Sequence, residues 1–220
     1  MCIRDRPDGA PEPSKSSCVM VADPFGPGDR CRYLAKTPMS FNEIERAWLS
    51  ESPRAMCDVI RSHPGESFYA AAFHLFYSDH SQILAPALAI NSESFAATHH
   101  DQESAWKTRW APPERNWPVL DDACDAMKPI YARLTDAMAA ASEADWDDLI
   151  ASHDQVMANI CRQLTAQIHD KVGQFHDLNL TDCFVVAVLE GQRDAEDYNA
   201  MVRASIEPHR LANLDGILFQ

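Results

Sequence analysis

The stretch SFYAAAFHLFY, residues 67–77, decides the fold of this chain. It is short, rich in aromatic residues and apolar at both alternating sets of positions, which predicts a strand covered on both faces. A polar turn, SDHS, follows it, and QILAPALAIN at 82–91 predicts the partner strand of a hairpin. Because Pro86 cannot donate a ladder hydrogen bond, we expect this partner strand at a sheet edge or with a bulge at that residue.

A second apolar stretch, TDCFVVAVLEG at 181–191, predicts another strand because it is rich in β-branched residues. Helical patterns surround the strands. One begins with an S-x-x-E capping box at Ser40, one covers 119–141, and one begins with a capping pattern at Ser142. The prediction is a single α+β domain at 39–220, in which helices pack a small antiparallel sheet and the two apolar strands lie side by side.

Residues 1–38 differ in composition from the rest of the chain. They contain six prolines, with serine and glycine between them and no period of 2 or 3.6, which predicts a disordered N-terminal leader. The first six residues, MCIRDR, resemble a translated sequencing adapter, so we expect residues 1–6 to be an artefact.

The charge of the chain restricts its partners. The formal net charge is -14 over 220 residues, which disfavours phosphate backbones and therefore predicts no nucleic-acid partner. A basic protein partner is electrostatically easier, and simple solubility is the alternative explanation. No apolar run approaches the roughly 20 residues of a membrane span, and no signal pattern starts the chain, which predicts a cytoplasmic protein without membrane contact.

The cysteines favour a reducing compartment. There are seven of them, an odd number, and no C-x-x-C pair occurs. Cys57, Cys161 and Cys183 lie within apolar patterns, so we expect them to be buried, reduced thiols.

The run KTRWAPPERNWPVL, residues 107–120, is the candidate binding segment. Arginine and tryptophan are favoured at binding hot spots, so one interpretation is a groove with Arg109 and Arg115 at its rim and Trp110 and Trp117 at its floor. The alternative is a loop stiffened by its prolines, with the indoles packed beneath it. Both interpretations stay open at this point.

Three groups of motifs follow one another along the chain. They are Phe68-Tyr69-Ala70, then Asn91-Ser92-Glu93 with Phe95, then Arg109-Trp110 with Pro112 and Glu114. Over roughly 41–210, this order resembles the bacterial family catalogued as domain of unknown function 4303. The family usually has a second tryptophan directly after that glutamate, whereas here Arg115 stands there and Trp117 comes two residues later. The resemblance implies a bacterial protein of unestablished activity, for which toxin immunity or other protein binding has been suggested.

Residues that could carry catalysis are few. His74 lies on an apolar strand face and is the candidate catalytic base, which would need a carboxylate to orient it; a core histidine is the alternative. His99 and Asp101 are candidate metal ligands, but neighbouring histidines point in different directions, so a polar loop is the alternative. No G-x-S-x-G elbow, H-E-x-x-H motif or phosphate-binding glycine loop occurs, and no cofactor is predicted.

Three hypotheses for function result. The leading one is a protein-binding module with an acidic surface, of the toxin-immunity kind. The second is a small hydrolase that uses His74 or the region of His99. The third is a structural or regulatory module without catalysis. The missing nucleophile motifs favour binding over an enzyme.

Overall fold

The computed structural model describes residues 40–78, 82–98, 117–120, 124–189, 195–212 and 214. They belong to a compact unit, Met39–Gln220. The leader predicted at 1–38, and the artefact predicted at 1–6 within it, lie outside the described residues.

Helices and strands alternate along the described chain. In order they are α1 (Phe41–Ser62), β1 (Phe68–His74), β2 (Tyr77–Ser78), β3 (Gln82–Ile83), β4 (Ala87–Ser92), α2 (Glu93–Thr98), β5 (Trp117–Leu120), α3 (Lys128–Ala140), α4 (Glu143–His169), a 3-10 turn (Gly173–Phe175), β6 (Leu180–Leu189), α5 (Ala195–Ser205) and α6 (Pro208–Leu211). A small sheet packed by helices confirms the predicted α+β class. None of these helices combines the length and apolar character that a membrane span requires.

The four-stranded sheet has the order β5-β4-β1-β6. The two apolar strands are neighbours, with Ala71 opposite Val186, as predicted. The prediction of a wholly antiparallel sheet was wrong, because β1 and β6 run parallel while β1 and β4 run antiparallel. A parallel pair needs a long connection, and the chain between β1 and β6 passes through α3 and α4 before it returns in the same direction.

The partner strand also differs from its prediction. β4 begins at Ala87, directly after Pro86, so the proline lies outside the ladder and removes no hydrogen bond from it. β4 occupies an interior position between β5 and β1, and Pro86 precedes the strand, so the expected edge position or bulge at Pro86 was wrong. The short ribbon of β2 and β3, where Tyr77 pairs with Ile83, lies within the connection between β1 and β4.

Local sequence signals predicted some helix starts correctly and others wrongly. The capping box at Ser142 is confirmed: its hydroxyl accepts from the Asp145 backbone N–H at 3.3 Å, and the Asp145 carboxylate accepts from the Ser142 N–H. Ser40 precedes α1, but its side chain makes no capping hydrogen bond. α3 begins at Lys128, with Pro129 in its first turn, where a missing N–H costs little. The helix predicted from 119 was wrong there, because 117–120 pairs with β4 as a strand.

The sheet separates two apolar layers, which explains why its central strands are apolar on both faces. One layer, which contains Phe73 and Val186, packs against α1, α3 and α4; the other, which contains Ala72 and Ala187, packs against α5. Trp48 of α1 meets Phe73 edge to face, with ring centroids 5.1 Å apart. Burial of these rings and branched side chains is the main stabilising term of the fold.

The outer edge of β6 is covered by helix side chains. The Thr165 hydroxyl of α4 accepts from the Val186 backbone N–H at 2.9 Å, and the Ser205 hydroxyl of α5 accepts from the Val188 N–H at 3.1 Å. The His169 Nε2 atom lies 2.7 Å from the Phe184 carbonyl oxygen. This edge is therefore protected against the addition of another strand.

The first half of β6 is irregular. Phe68 pairs with Leu180 and Ala70 with Val185, so residues 181–184 bulge opposite a single residue of β1. Cys57 and Cys161 are buried as predicted, but Cys183 is exposed, because the bulge breaks the alternation that would have turned it inward. Burial raises the pKa of the Cys57 thiol to about 11 and that of Cys161 further, so both thiols are unreactive at neutral pH.

Candidate binding site

Polar side chains from several segments meet at one end of the sheet. This is the end where β1 and β6 begin and β4 ends, because Phe68 pairs with both Ser92 and Leu180. We call the group formed here the Trp117 cluster; its members are His63, Glu66, Ser92, Ser94 and Trp117. They come from the end of α1, the approach to β1, the end of β4, α2 and the start of β5.

Trp117 is half-buried and held in position from two sides. Its indole Nε1–H donates to the Ser92 hydroxyl at 3.3 Å. The His63 imidazole packs against the indole, with ring centroids 4.0 Å apart and planes tilted by 46°. β5 adds a backbone constraint, since Trp117 pairs with Ile90. The ring therefore has a defined orientation while part of it stays accessible.

Glu66 supplies a carboxylate to the same cluster. The Ser94 hydroxyl donates to it, and the Ser94 and Ser92 hydroxyl oxygens lie 3.2 Å apart. The hydrogen bond from Ser94 lowers the pKa of Glu66 most, followed by that from Ser92 and by the nearby His63, while slight burial opposes them. The carboxylate is therefore ionised at neutral pH.

Backbone contacts fix the loop that carries Glu66. The Asn179 side-chain amide donates to the Glu66 carbonyl at 2.6 Å, and the Glu66 N–H donates to the His63 carbonyl at 3.0 Å. The Glu93 N–H donates to the Ser67 carbonyl at 2.8 Å, which joins the start of α2 to the same loop. The cluster is thus held by hydrogen bonds to three neighbouring segments.

The arrangement does not match a catalytic triad. A triad needs an imidazole between a nucleophilic hydroxyl and a carboxylate, with one ring nitrogen on each. Here the Glu66 carboxylate accepts from the Ser94 hydroxyl. The His63 Nδ1 atom instead lies 2.9 Å from both the Val59 carbonyl oxygen and the Ser62 hydroxyl oxygen. An oriented aromatic ring, connected to an ionised carboxylate through two serine hydroxyls, is suited to recognition.

His74, the candidate catalytic base, lies at the far end of β1 and is only 7% exposed. Its Nε2 atom has no hydrogen-bond partner within the part of the chain that the structure describes. Burial lowers the pKa of His74 to about 4, so the ring is neutral at pH 7. The carboxylate that the hydrolase hypothesis requires is not within hydrogen-bond distance of Nε2 among the described residues. That hypothesis stays a prediction, without support from this geometry.

Most of the other predicted site residues lie outside the described residues: Arg109, Trp110, Glu114 and Arg115 of the binding segment, and His99 and Asp101 of the metal hypothesis. Of the binding segment, the structure describes residues 117–120, and Trp117 is the predicted site residue among them. Across the described ranges, no three histidine, cysteine or acidic side chains converge in a way that could hold a metal ion.

Sequence reasoning found part of the cluster. Trp117 and Ser92 were named in the binding segment and the N-S-E motif, whereas Glu66, Ser94 and His63 were not singled out as site residues. A signal for Glu66 was present. It lies two residues before a hairpin strand whose partner ends at Ser92, and residues at the open end of an antiparallel pair are neighbours in space.

Comparison of the chain with protein family models, curated protein sequences and solved structures finds no match. The resemblance to family 4303 therefore stays a prediction. Two of the motifs on which it depends nevertheless lie side by side, since Phe68 pairs with Ser92, and Trp117 is hydrogen-bonded to Ser92.

Proposed function

We propose that the protein acts by binding another protein, with the Trp117 cluster as part of the contact surface. The observation that carries this proposal is the half-buried Trp117 ring, oriented by His63 and Ser92. A tryptophan that is already ordered loses little side-chain entropy on binding, which is why such residues contribute strongly to interfaces. Trp117 also continues directly from the segment that contains Arg109 and Trp110.

Charge supports a basic partner. The chain carries a formal net charge of -14, and a field of one sign increases the rate at which an oppositely charged partner is encountered. The resemblance to family 4303 adds a narrower proposal, that the protein is a bacterial immunity protein that neutralises a toxin in the cytoplasm. In that case the basic partner is the toxin itself.

Position-specific cross-linking tests the proposal. The photoreactive residue p-benzoylphenylalanine replaces Trp117 in one variant and Trp146 in a control, because Trp146 is also half-buried and also hydrogen-bonded, to the Met138 carbonyl. Illumination in a lysate of the source organism at low salt is expected to attach a basic protein at 117 and not at 146, with a yield that falls as salt rises. No adduct at 117, or the same adducts from both positions, would reject the proposal.

The affinity for the purified partner gives the quantitative test. Trp117→Ala is expected to weaken binding by at least about 30-fold in isothermal titration calorimetry, the factor that corresponds to a hot-spot loss of about 2 kcal/mol. Trp146→Ala is expected to change the affinity by less than about threefold, as a residue outside an interface does. Circular dichroism spectra identical to that of the parent chain would establish that both variants are folded.

A further inference from the structure

We infer that the Trp117 cluster binds the side chain of one arginine of the partner, with the guanidinium against the indole and hydrogen-bonded to the Glu66 carboxylate. This inference rests on the protein-binding function proposed above. It adds the chemistry that the site recognises, which a general preference for basic partners leaves open.

The first observation is a fixed carboxylate that no lysine or arginine of the described ranges pairs with. Three other acidic side chains of the described region each pair with a lysine or arginine: Glu43 with Arg133, Glu51 with Arg54, and Asp125 with Lys128. Within the described ranges, no lysine or arginine forms an ion pair with Glu66. The Ser94 hydroxyl contacts its Oε2 atom, and a carboxylate offers about four lone-pair sites in all, so acceptor capacity remains for a ligand.

The second observation is that this carboxylate and an indole belong to one hydrogen-bonded chain. The indole Nε1–H of Trp117 donates to Ser92 at 3.3 Å, the Ser92 and Ser94 hydroxyls lie 3.2 Å apart, and Ser94 donates to Glu66. Two short side chains thus separate the ring from the anion. In the complex that we propose, a single cationic group contacts both.

Among the classes of ligand, the Trp117 indole and the Glu66 carboxylate together favour a guanidinium. A guanidinium is planar, stacks on an aromatic face and donates two parallel hydrogen bonds to a carboxylate. An ammonium group can make the ion pair but lacks the stacking plane. Carboxylate and phosphate ligands are disfavoured by Glu66 and by the formal net charge of -14.

Fluorine NMR on the full chain labelled with 5-fluorotryptophan tests the inference. The chain has five tryptophans, and the Trp117→Phe variant assigns the resonance of Trp117. The probe is a blocked peptide of alternating glycine and arginine, and the control peptide carries citrulline, which keeps the shape of arginine without its charge. The arginine peptide is expected to shift the Trp117 resonance in a saturable way, and the citrulline peptide is expected to leave it unchanged.

Two variants test which negative charge binds the arginine peptide. Glu66→Gln is expected to lower the affinity for the arginine peptide about tenfold, which is the effect of losing a charged hydrogen bond. Glu143→Gln, which removes the same charge from the exposed start of α4, is expected to change the affinity by less than about twofold, because screened distant charges contribute little. Equal effects of the two variants would overturn the inference.

The remaining outcomes separate this inference from the proposed function. If a lysine peptide shifts Trp117 as strongly as the arginine peptide, the assignment to a guanidinium fails. If cross-linking at 117 succeeds while no peptide shifts Trp117, protein binding stands and the arginine site is rejected. If the arginine peptide binds but no cross-link forms at 117, the recognition chemistry stands and the protein-binding proposal fails.

Discussion

Two regions of the molecule pair a tryptophan with a histidine, and only one of them is closed to solvent. In the core, the Trp48 indole donates to the Tyr131 hydroxyl at 3.1 Å, and that hydroxyl is hydrogen-bonded to the His153 Nε2 atom at 3.0 Å. Trp48 and His153 are 0% exposed and Tyr131 is 5% exposed. The three residues come from α1, α3 and α4, so this core network connects three helices.

At the end of the sheet, Trp117 packs against His63 and donates to Ser92, but it is only half-buried. The residue types are similar in the two regions; the number of elements that cover them differs. A fully covered tryptophan stabilises the fold, because its contacts and its hydrogen bond are lost only on unfolding. A partly covered one keeps surface for a partner, and the expected effects of substitution follow this distinction.

The largest contrast is expected from truncation of the two tryptophans. Trp48→Ala is expected to lower the free energy of unfolding by about 3–5 kcal/mol, because it leaves a cavity and removes one of the two hydrogen bonds of the buried Tyr131 hydroxyl. Trp117→Ala is expected to lower it by about 1 kcal/mol, as less surface is buried and water can replace the hydrogen bond. Urea denaturation of both variants measures this difference. Equal losses would show that Trp117 is a core residue and would remove the contrast.

A third histidine extends the comparison to pH. His74 is buried, and burial lowers its pKa from 6.5 to about 4. Below pH 6.5 the unfolded chain takes up a proton at His74, whereas the folded chain does so only near pH 4, so stability falls as the pH decreases across this window. The loss is expected to approach about 3 kcal/mol at pH 4, since one pKa unit corresponds to about 1.4 kcal/mol.

Denaturation curves from pH 7 to 4 measure the contribution of His74. The parent chain and His74→Phe should be compared, because phenylalanine suits a buried apolar position and cannot be protonated. As the pH falls from 7 to 4, the free energy of unfolding of the parent chain is expected to decrease more than that of His74→Phe. A difference that stays constant from pH 7 to 4 would show that His74 does not titrate in this window.

The smallest contrast concerns single hydroxyls. Tyr131→Phe removes a buried hydroxyl that accepts from Trp48 and is hydrogen-bonded to His153, so a loss of about 1–3 kcal/mol in stability is expected. Ser92→Ala removes the acceptor of the Trp117 indole, and here water can reach part of the ring, so a loss of about 1 kcal/mol is expected. Thermal denaturation of the two variants under one condition compares them, and a larger loss for Ser92→Ala would contradict the comparison.

Much of the fold could be predicted from local patterns. Apolar residues at both alternating positions of 67–77 and 181–191 require burial on two faces, and this places β1 and β6 inside the packed helices. The capping pattern at Ser142 is equally local, since its hydrogen bonds join residues three apart. The strand at 117–120 was missed because its pairing with β4 is a long-range contact that overrides the helical spacing of the sequence.

The candidate site was predictable only in part for the same reason. Trp117 could be singled out because tryptophan and arginine are common at interfaces. No short motif joins His63 to Trp117, or Glu66 to Ser94, which lies 28 positions later. These residues become neighbours through the pairing of Phe68 with Ser92.

By itself, the sequence determined which segments must be buried, where one long helix begins and that the chain is strongly acidic, because each of these depends on nearby residues or on a sum over all of them. Only the tertiary structure decided the parallel direction of β6, the exposure of Cys183 and the difference between Trp48 and Trp117. The physical reason is that a residue's environment depends on how many distant elements cover it, and no local pattern contains that number.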